Sequence, residues 1–93
     1  SGGNVPESFS LGQNYPNPFN PSTVITFSVP FRSEIRMDVH NSLGNRVSTL
    51  VNEDLDEGNY TVNFSGESLP SGVYYYTLTA GNFSEVKKMI LLK

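Results

Sequence analysis

One histidine, no cysteine and one run of carboxylates are the places where this 93-residue chain could do chemistry. Acid–base or nucleophilic catalysis needs a poised group and a second group that orients it. His40 lies two residues from Asp38, and strand periodicity puts both on one surface. Serines are plentiful, but nothing selects one of them to complete a Ser-His-Asp set with the single imidazole. His40 therefore reads as a strand-surface residue. Glu53, Asp54, Asp56 and Glu57 could wrap a hard cation such as calcium, which takes roughly six to eight oxygen ligands. Their spacing is not that of an EF-hand, and Gly58 comes too late for its turn, so a solvated acidic loop is expected. No histidine pair or cysteine cluster is available for zinc. The glycines fall singly in turns, so no loop cradles a phosphate. No cofactor, no metal and no enzymatic activity are expected.

What remains is recognition. Tyr74, Tyr75 and Tyr76 stand in a row, so in a strand at least one ring must leave the core, and an outward Tyr75 could stack on a sugar or a protein. Asn59, Asn63 and Asn82 each begin an Asn-x-Ser/Thr triplet, a pattern short enough to arise by chance. The terminal stretch Val86-Lys87-Lys88-Met89-Ile90-Leu91-Leu92-Lys93 sets four large apolar residues between lysines. It reads either as a core strand whose lysines guard an edge or as a strand-shaped handle gripped through backbone pairing. Both readings can hold together.

The elements that must position these residues are strands. From Thr23 the period is two: Thr23, Ile25, Phe27 and Val29 share one face, and Pro30 closes the run. Ile35, Met37 and Val39 alternate with Glu34, Arg36, Asp38 and His40, the pattern of a half-buried antiparallel strand. Asn41–Asn45 is a turn with Gly44 at positive φ. Arg46–Val51 resumes a strand, with Val47 alternating toward Leu50 or Val51 and a bulge expected there. Asn52–Asn59 reads as an acidic turn. Tyr60, Val62 and Phe64 form the next strand, and Tyr74, Tyr76 and Leu78 the one after it. Gly81-Asn82 makes a type II′ hairpin turn into a last strand from Phe83 or Ser84 to Leu92. About seven short strands and no helical stripe predict an all-β, immunoglobulin-like or fibronectin III-like antiparallel sandwich. Its expected core is Ile25, Phe27, Val29, Ile35, Met37, Val39, Val47, Tyr60, Val62, Phe64, Tyr74, Tyr76 and Leu78. Either Tyr15 or Phe19 is expected to plug into it from the irregular stretch Pro16–Pro21.

Bulk properties narrow the function. Six Lys or Arg against nine Asp or Glu give a formal net charge of -3, which argues against a nucleic-acid partner. The longest apolar run, Met89–Leu92, is far short of the roughly 20 residues that span a bilayer. Residues 1–8 have linker composition, with Ser1-Gly2 open to reading as an expression remnant, and residues 9–93 make one domain. A monomer is expected.

Several separated motifs in this order resemble one family. They are Gln13-Asn14-Tyr15-Pro16-Asn17-Pro18-Phe19-Asn20-Pro21-Ser22-Thr23, Leu43-Gly44 followed by Val47 and Leu50, Ser71-Gly72-Val73-Tyr74 with Leu78, and Lys87-Lys88-Met89-Ile90-Leu91-Leu92-Lys93. The chain resembles the C-terminal sorting domain of the type IX secretion system, type A, the Por secretion tail family. It is also similar to the immunoglobulin-like domain of the flagellar hook-capping protein. The resemblance implies a folded tail on a larger secreted bacterial cargo protein, which travels through the periplasm to the cell surface or beyond. It implies two partners: the outer-membrane secretion machinery, and a sortase-like peptidase that removes the tail near Gly3–Ser8. By carry-over, the recognition elements would be the segment Pro16, Asn17, Pro18, Phe19, Asn20 and Pro21 and the strand Lys87, Lys88, Met89, Ile90, Leu91, Leu92 and Lys93. The alternatives are a carbohydrate- or surface-binding module of a secreted enzyme, and a passive spacer.

Overall fold

The computed structural model describes residues 6–93. Residues 1–5, which hold most of the expected linker and the start of the expected processing neighbourhood, lie outside the described residues. Seven strands follow in order: β1 (Ser10–Leu11), β2 (Ser22–Val29), β3 (Ser33–Asn41), β4 (Arg46–Leu55), β5 (Gly58–Ser65), β6 (Gly72–Ala80) and β7 (Phe83–Leu91). They form a three-stranded sheet ordered β1-β2-β5 and a four-stranded sheet ordered β4-β3-β6-β7, with every pairing between strands antiparallel. The all-β sandwich expected from the sequence is the fold observed, and no described residue is helical.

Period-two alternation builds the interior. Ile25, Phe27 and Val29 of β2 and Phe64 of β5 face Ile35, Met37 and Val39 of β3 and Tyr74, Tyr76 and Leu78 of β6, and all are buried. Val47, Tyr60 and Val62, expected in the core, are only partly buried. They sit on β4 and β5, the outer strands of their sheets, where the facing sheet covers one side only. Leu11, Val51, Ala80, Met89 and Leu91 also complete the core and are not among the residues expected there. Of the two candidates in the proline-rich stretch, Phe19 is the plug; Tyr15 is 80% exposed.

The acidic turn is shorter than the sequence suggested. β4 runs on to Leu55 and β5 begins at Gly58, so only Asp56 and Glu57 connect them. Backbone pairing of Glu53 with Ile35 and of Leu55 with Ser33 keeps this polar stretch in the sheet. Charged side chains suit an outer strand, which keeps one edge and one face wet. The expected bulge is present and is doubled: the register of β3 on β4 steps past Leu50 and again past Val47. Gly44 has φ +88°, as a turn at that point requires. Gly81 has φ +57° while no non-glycine among the described residues has positive φ, which makes Gly81-Asn82 the type II′ turn.

Candidate functional site: the clipped terminal strand

The two segments that carry the strongest motifs meet at one edge of the sandwich. β7 is the outer strand of the four-stranded sheet, bonded to β6 from Phe83 to Leu91. On its other side runs the Gln13–Phe19 segment. Phe19 N–H donates to Ile90 C=O (2.9 Å), and Leu92 N–H donates to Phe19 C=O (2.9 Å), a short parallel bridge. Asn17 Oδ1 accepts the Ile90 N–H (3.0 Å), and Gln13 Nε2 donates to Lys88 C=O (2.8 Å). The segment bends at Pro16–Pro18 rather than running as a strand, and Pro16 and Pro18 have no N–H to give a ladder, so the contact here is made by the Asn17 side chain. The same segment is tied to the other sheet, where Gly12 N–H donates to Thr26 C=O and Tyr15 pairs with Val24. The chain thus leaves one sheet, crosses the open side of the sandwich and clips onto the last strand of the other.

A buried polar knot fixes this crossing. Tyr76 Oη donates to Gly12 C=O (2.7 Å) and accepts from Asn14 N–H (2.8 Å). Asn14 Nδ2 donates to Thr23 Oγ1 (3.0 Å) and to Pro16 C=O (3.1 Å), and Thr23 Oγ1 donates to the same carbonyl (2.9 Å). Gln13 Nε2 closes the chain of bonds on Asn14 Oδ1 (2.7 Å). No buried side-chain nitrogen or oxygen among the described residues is left unpaired. Burial is the main cause that pushes the Tyr76 hydroxyl up to about 12. Asn14 and Thr23 belong to the proline-rich motif but lie outside the expected recognition segment Pro16–Pro21. Thr23 and Tyr76 both occupy the inward phase of their strands, and a polar group on an apolar phase signals a hidden partner.

The expected recognition residues divide by role. In the Pro16–Pro21 segment, Phe19 is in the core against Phe64, while Pro16, Asn17, Pro18 and Asn20 are exposed and Pro21 C=O accepts from Gly66 N–H (2.8 Å). In the terminal strand, Met89 and Leu91 are fully buried. Lys88 and Leu92 are exposed, Ile90 is half-buried, and Lys87 lies 3.4 Å from Glu85. Lys93 acts as a staple: its Nζ donates to Glu67 C=O (2.6 Å) and Leu69 C=O (2.7 Å), and its N–H to Ser71 Oγ (2.9 Å).

The candidate catalytic and metal groups stay apart. Asp38 is engaged by Arg36 Nε (2.8 Å) and Thr49 Oγ1 (2.7 Å) rather than by His40. Partial burial works against its charged form, but these two bonds outweigh it and hold the carboxyl below the usual range. Arg32 spans Asp56 (2.6 Å) and Asp54 (3.8 Å), and among the described residues no three metal-ligating side chains are grouped. Tyr74 and Tyr76 are buried, so Tyr75 alone of the three faces outward, opposite His40 on β3 and Lys88 on β7.

Residues 13–92 match the family model Por_Secre_tail, described as the secretion system C-terminal sorting domain. No curated protein matches the chain.

Proposed function

Because the chain belongs to the secretion system C-terminal sorting domain family, we propose that it is the folded tail by which the type IX machinery recognises a cargo and carries it across the outer membrane. The cargo passes through the periplasm and ends at the cell surface or outside the cell. A sortase-like peptidase acts in the Gly3–Ser8 neighbourhood to separate cargo from tail. The observation that supports this reading most is the clip. The proline-rich motif and the terminal strand are far apart in sequence, yet they bond to each other from Gln13–Lys88 to Phe19–Leu92. A receptor touching this edge would meet both motifs only when the tail is folded.

Deleting residues 86–93 is a poor test, since it takes Met89 and Leu91 out of the core. A better variant replaces Lys88, Ile90 and Leu92 together by serine and leaves the inward residues alone. Fused behind a periplasmic reporter in a type IX-competent bacterium, the unmodified tail is expected to deliver the reporter to the medium. The triple variant should retain it in the periplasm with the tail still folded. Equal delivery by both would remove the terminal strand from the recognition surface.

A further inference from the structure

The clip covers only part of the β7 edge. Alternation along β7 directs the backbone groups of Phe83, Glu85, Lys87, Met89 and Leu91 toward β6 and those of the residues between them outward. Gln13, Asn17 and Phe19 take the outward groups of Lys88 C=O, Ile90 and Leu92 N–H. The N–H and C=O of Ser84 and of Val86, and the N–H of Lys88, have no hydrogen-bond partner among the described residues.

This unbonded stretch, along which β1 lies and at whose start Phe9 stacks on Phe83, differs from the other outer edges. β4 is interrupted by its two bulges and carries Glu53 and Asp54. On β5 the outward groups belong to Asn59, Thr61 and Asn63, which are neutral and polar. Beside the β7 opening stand Val86, 57% exposed, and Lys88, which has no carboxylate partner among the described residues. Their cross-strand neighbours on the same face are Thr77 and Tyr75. An unpaired ladder fixes the shape of its complement as an extended strand. A lone lysine next to an exposed valine fixes the complement's side chains as a carboxylate and an apolar group.

We propose that Ser84–Lys88 is a β-augmentation site, which takes an extended acidic segment of another protein as an added strand beside β7. The inference rests on the sorting reading and names how that edge is bound. Gln13 on Lys88 C=O sets the far limit, so the added strand pairs over about five residues.

The test uses a proline that touches only the outward side. Val86 N–H points away from β6, so Val86→Pro deletes an outward donor and leaves the β6–β7 ladder whole. Val86→Thr keeps the donor, Lys88→Glu reverses the charge, and Thr61→Pro applies the same change to the β5 edge. Each tail is fused behind the periplasmic reporter, with reporter in the medium as the readout and protease resistance of the retained tail as the check on folding. Thr61→Pro should export like the parent, and Val86→Thr, which keeps the donor and gives up only part of the apolar contact, should fall by less than Val86→Pro. Val86→Pro should fall about tenfold, the size of one lost hydrogen bond with its desolvation, and Lys88→Glu should fall by a smaller factor. A folded Val86→Pro tail exported like the parent overturns the proposal, as does an equal loss in Thr61→Pro. If Val86→Pro is degraded, Ser84→Pro, on the same side of the strand, is judged by the same outcomes. Unfolding of both means that the edge is not a free one, and the proposal falls. Retention of the unmodified fusion sinks the sorting reading itself, a different result from loss in the proline variant alone.

Discussion

Tyr76 shows how one side chain can decide a local structure. Its ring is fully buried, while its hydroxyl serves two backbone groups of the crossing segment, Gly12 C=O and Asn14 N–H. Tyr76→Phe keeps the ring and leaves both groups without a partner, so it should cost about 1–3 kcal/mol, read from urea unfolding of the domain. The pH dependence has a definite sign. The folded state holds the phenol proton more tightly than the unfolded chain, in which tyrosine titrates near 10. The stabilisation is therefore complete below about pH 10 and is lost as pH rises through the folded value of about 12. Tyr76→Phe should flatten that alkaline limb. Asp38 has the opposite sign. Its folded value is lowered against burial by Arg36 and Thr49, so its contribution is present above the ordinary aspartate range and fades as pH falls through the folded value. Asp38→Asn should flatten the acid limb of a stability–pH profile, and an unchanged acid limb would remove Asp38 from that account.

At the scale of elements, the terminal strand is held from two sides by different means. β6 offers a regular ladder, whereas the outer side relies on one side-chain acceptor, Asn17, one side-chain donor, Gln13, and one short bridge. Asn17→Ala should therefore speed hydrogen exchange of the Ile90 amide and leave that of Met89, which faces β6, unchanged. Equal acceleration at both would mean that the whole strand frays as a unit. The strands themselves were legible in the sequence, because Ile35-x-Met37-x-Val39 and Tyr74-x-Tyr76-x-Leu78 announce their inner faces by alternation alone. The clip was not. Period-two reasoning has nothing to say about Pro16–Pro21, where no alternation exists, and it gives no hint that Asn17 bonds to a residue 73 positions away. Phe19 was legible only as one of two candidate plugs, since both rings flank prolines and only the tertiary fold separates the buried one from the exposed one. The acidic residues misled for a related reason. Glu53 and Asp54 look like turn composition, yet an outer strand tolerates charges that a central strand would not.

At the scale of the molecule, two sheets share one interior, and a single segment closes one of its open sides. β1 and Tyr15 pair with β2, Phe19 pairs with β7, and the Phe19 ring lies between the sheets against Phe64. A chain of 93 residues without a cysteine has no bridge to compensate if that closure fails. Truncating a buried phenylalanine costs about 3–5 kcal/mol, a large share of the roughly 5–15 kcal/mol that holds a domain of this size together. Phe19→Ala is thus expected to lower the melting temperature by more than 10 °C, given about 4–8 °C per kcal/mol for domains of up to about 100 residues. Tyr15→Ala, four residues earlier and 80% exposed, should leave the stability within about 0.5 kcal/mol of the parent's. Thermal unfolding of the two variants followed by circular dichroism separates a closing segment from a decorative one. If Phe19→Ala melts with the parent, the sandwich does not depend on this closure, and the proline-rich motif would have to be explained by surface recognition alone.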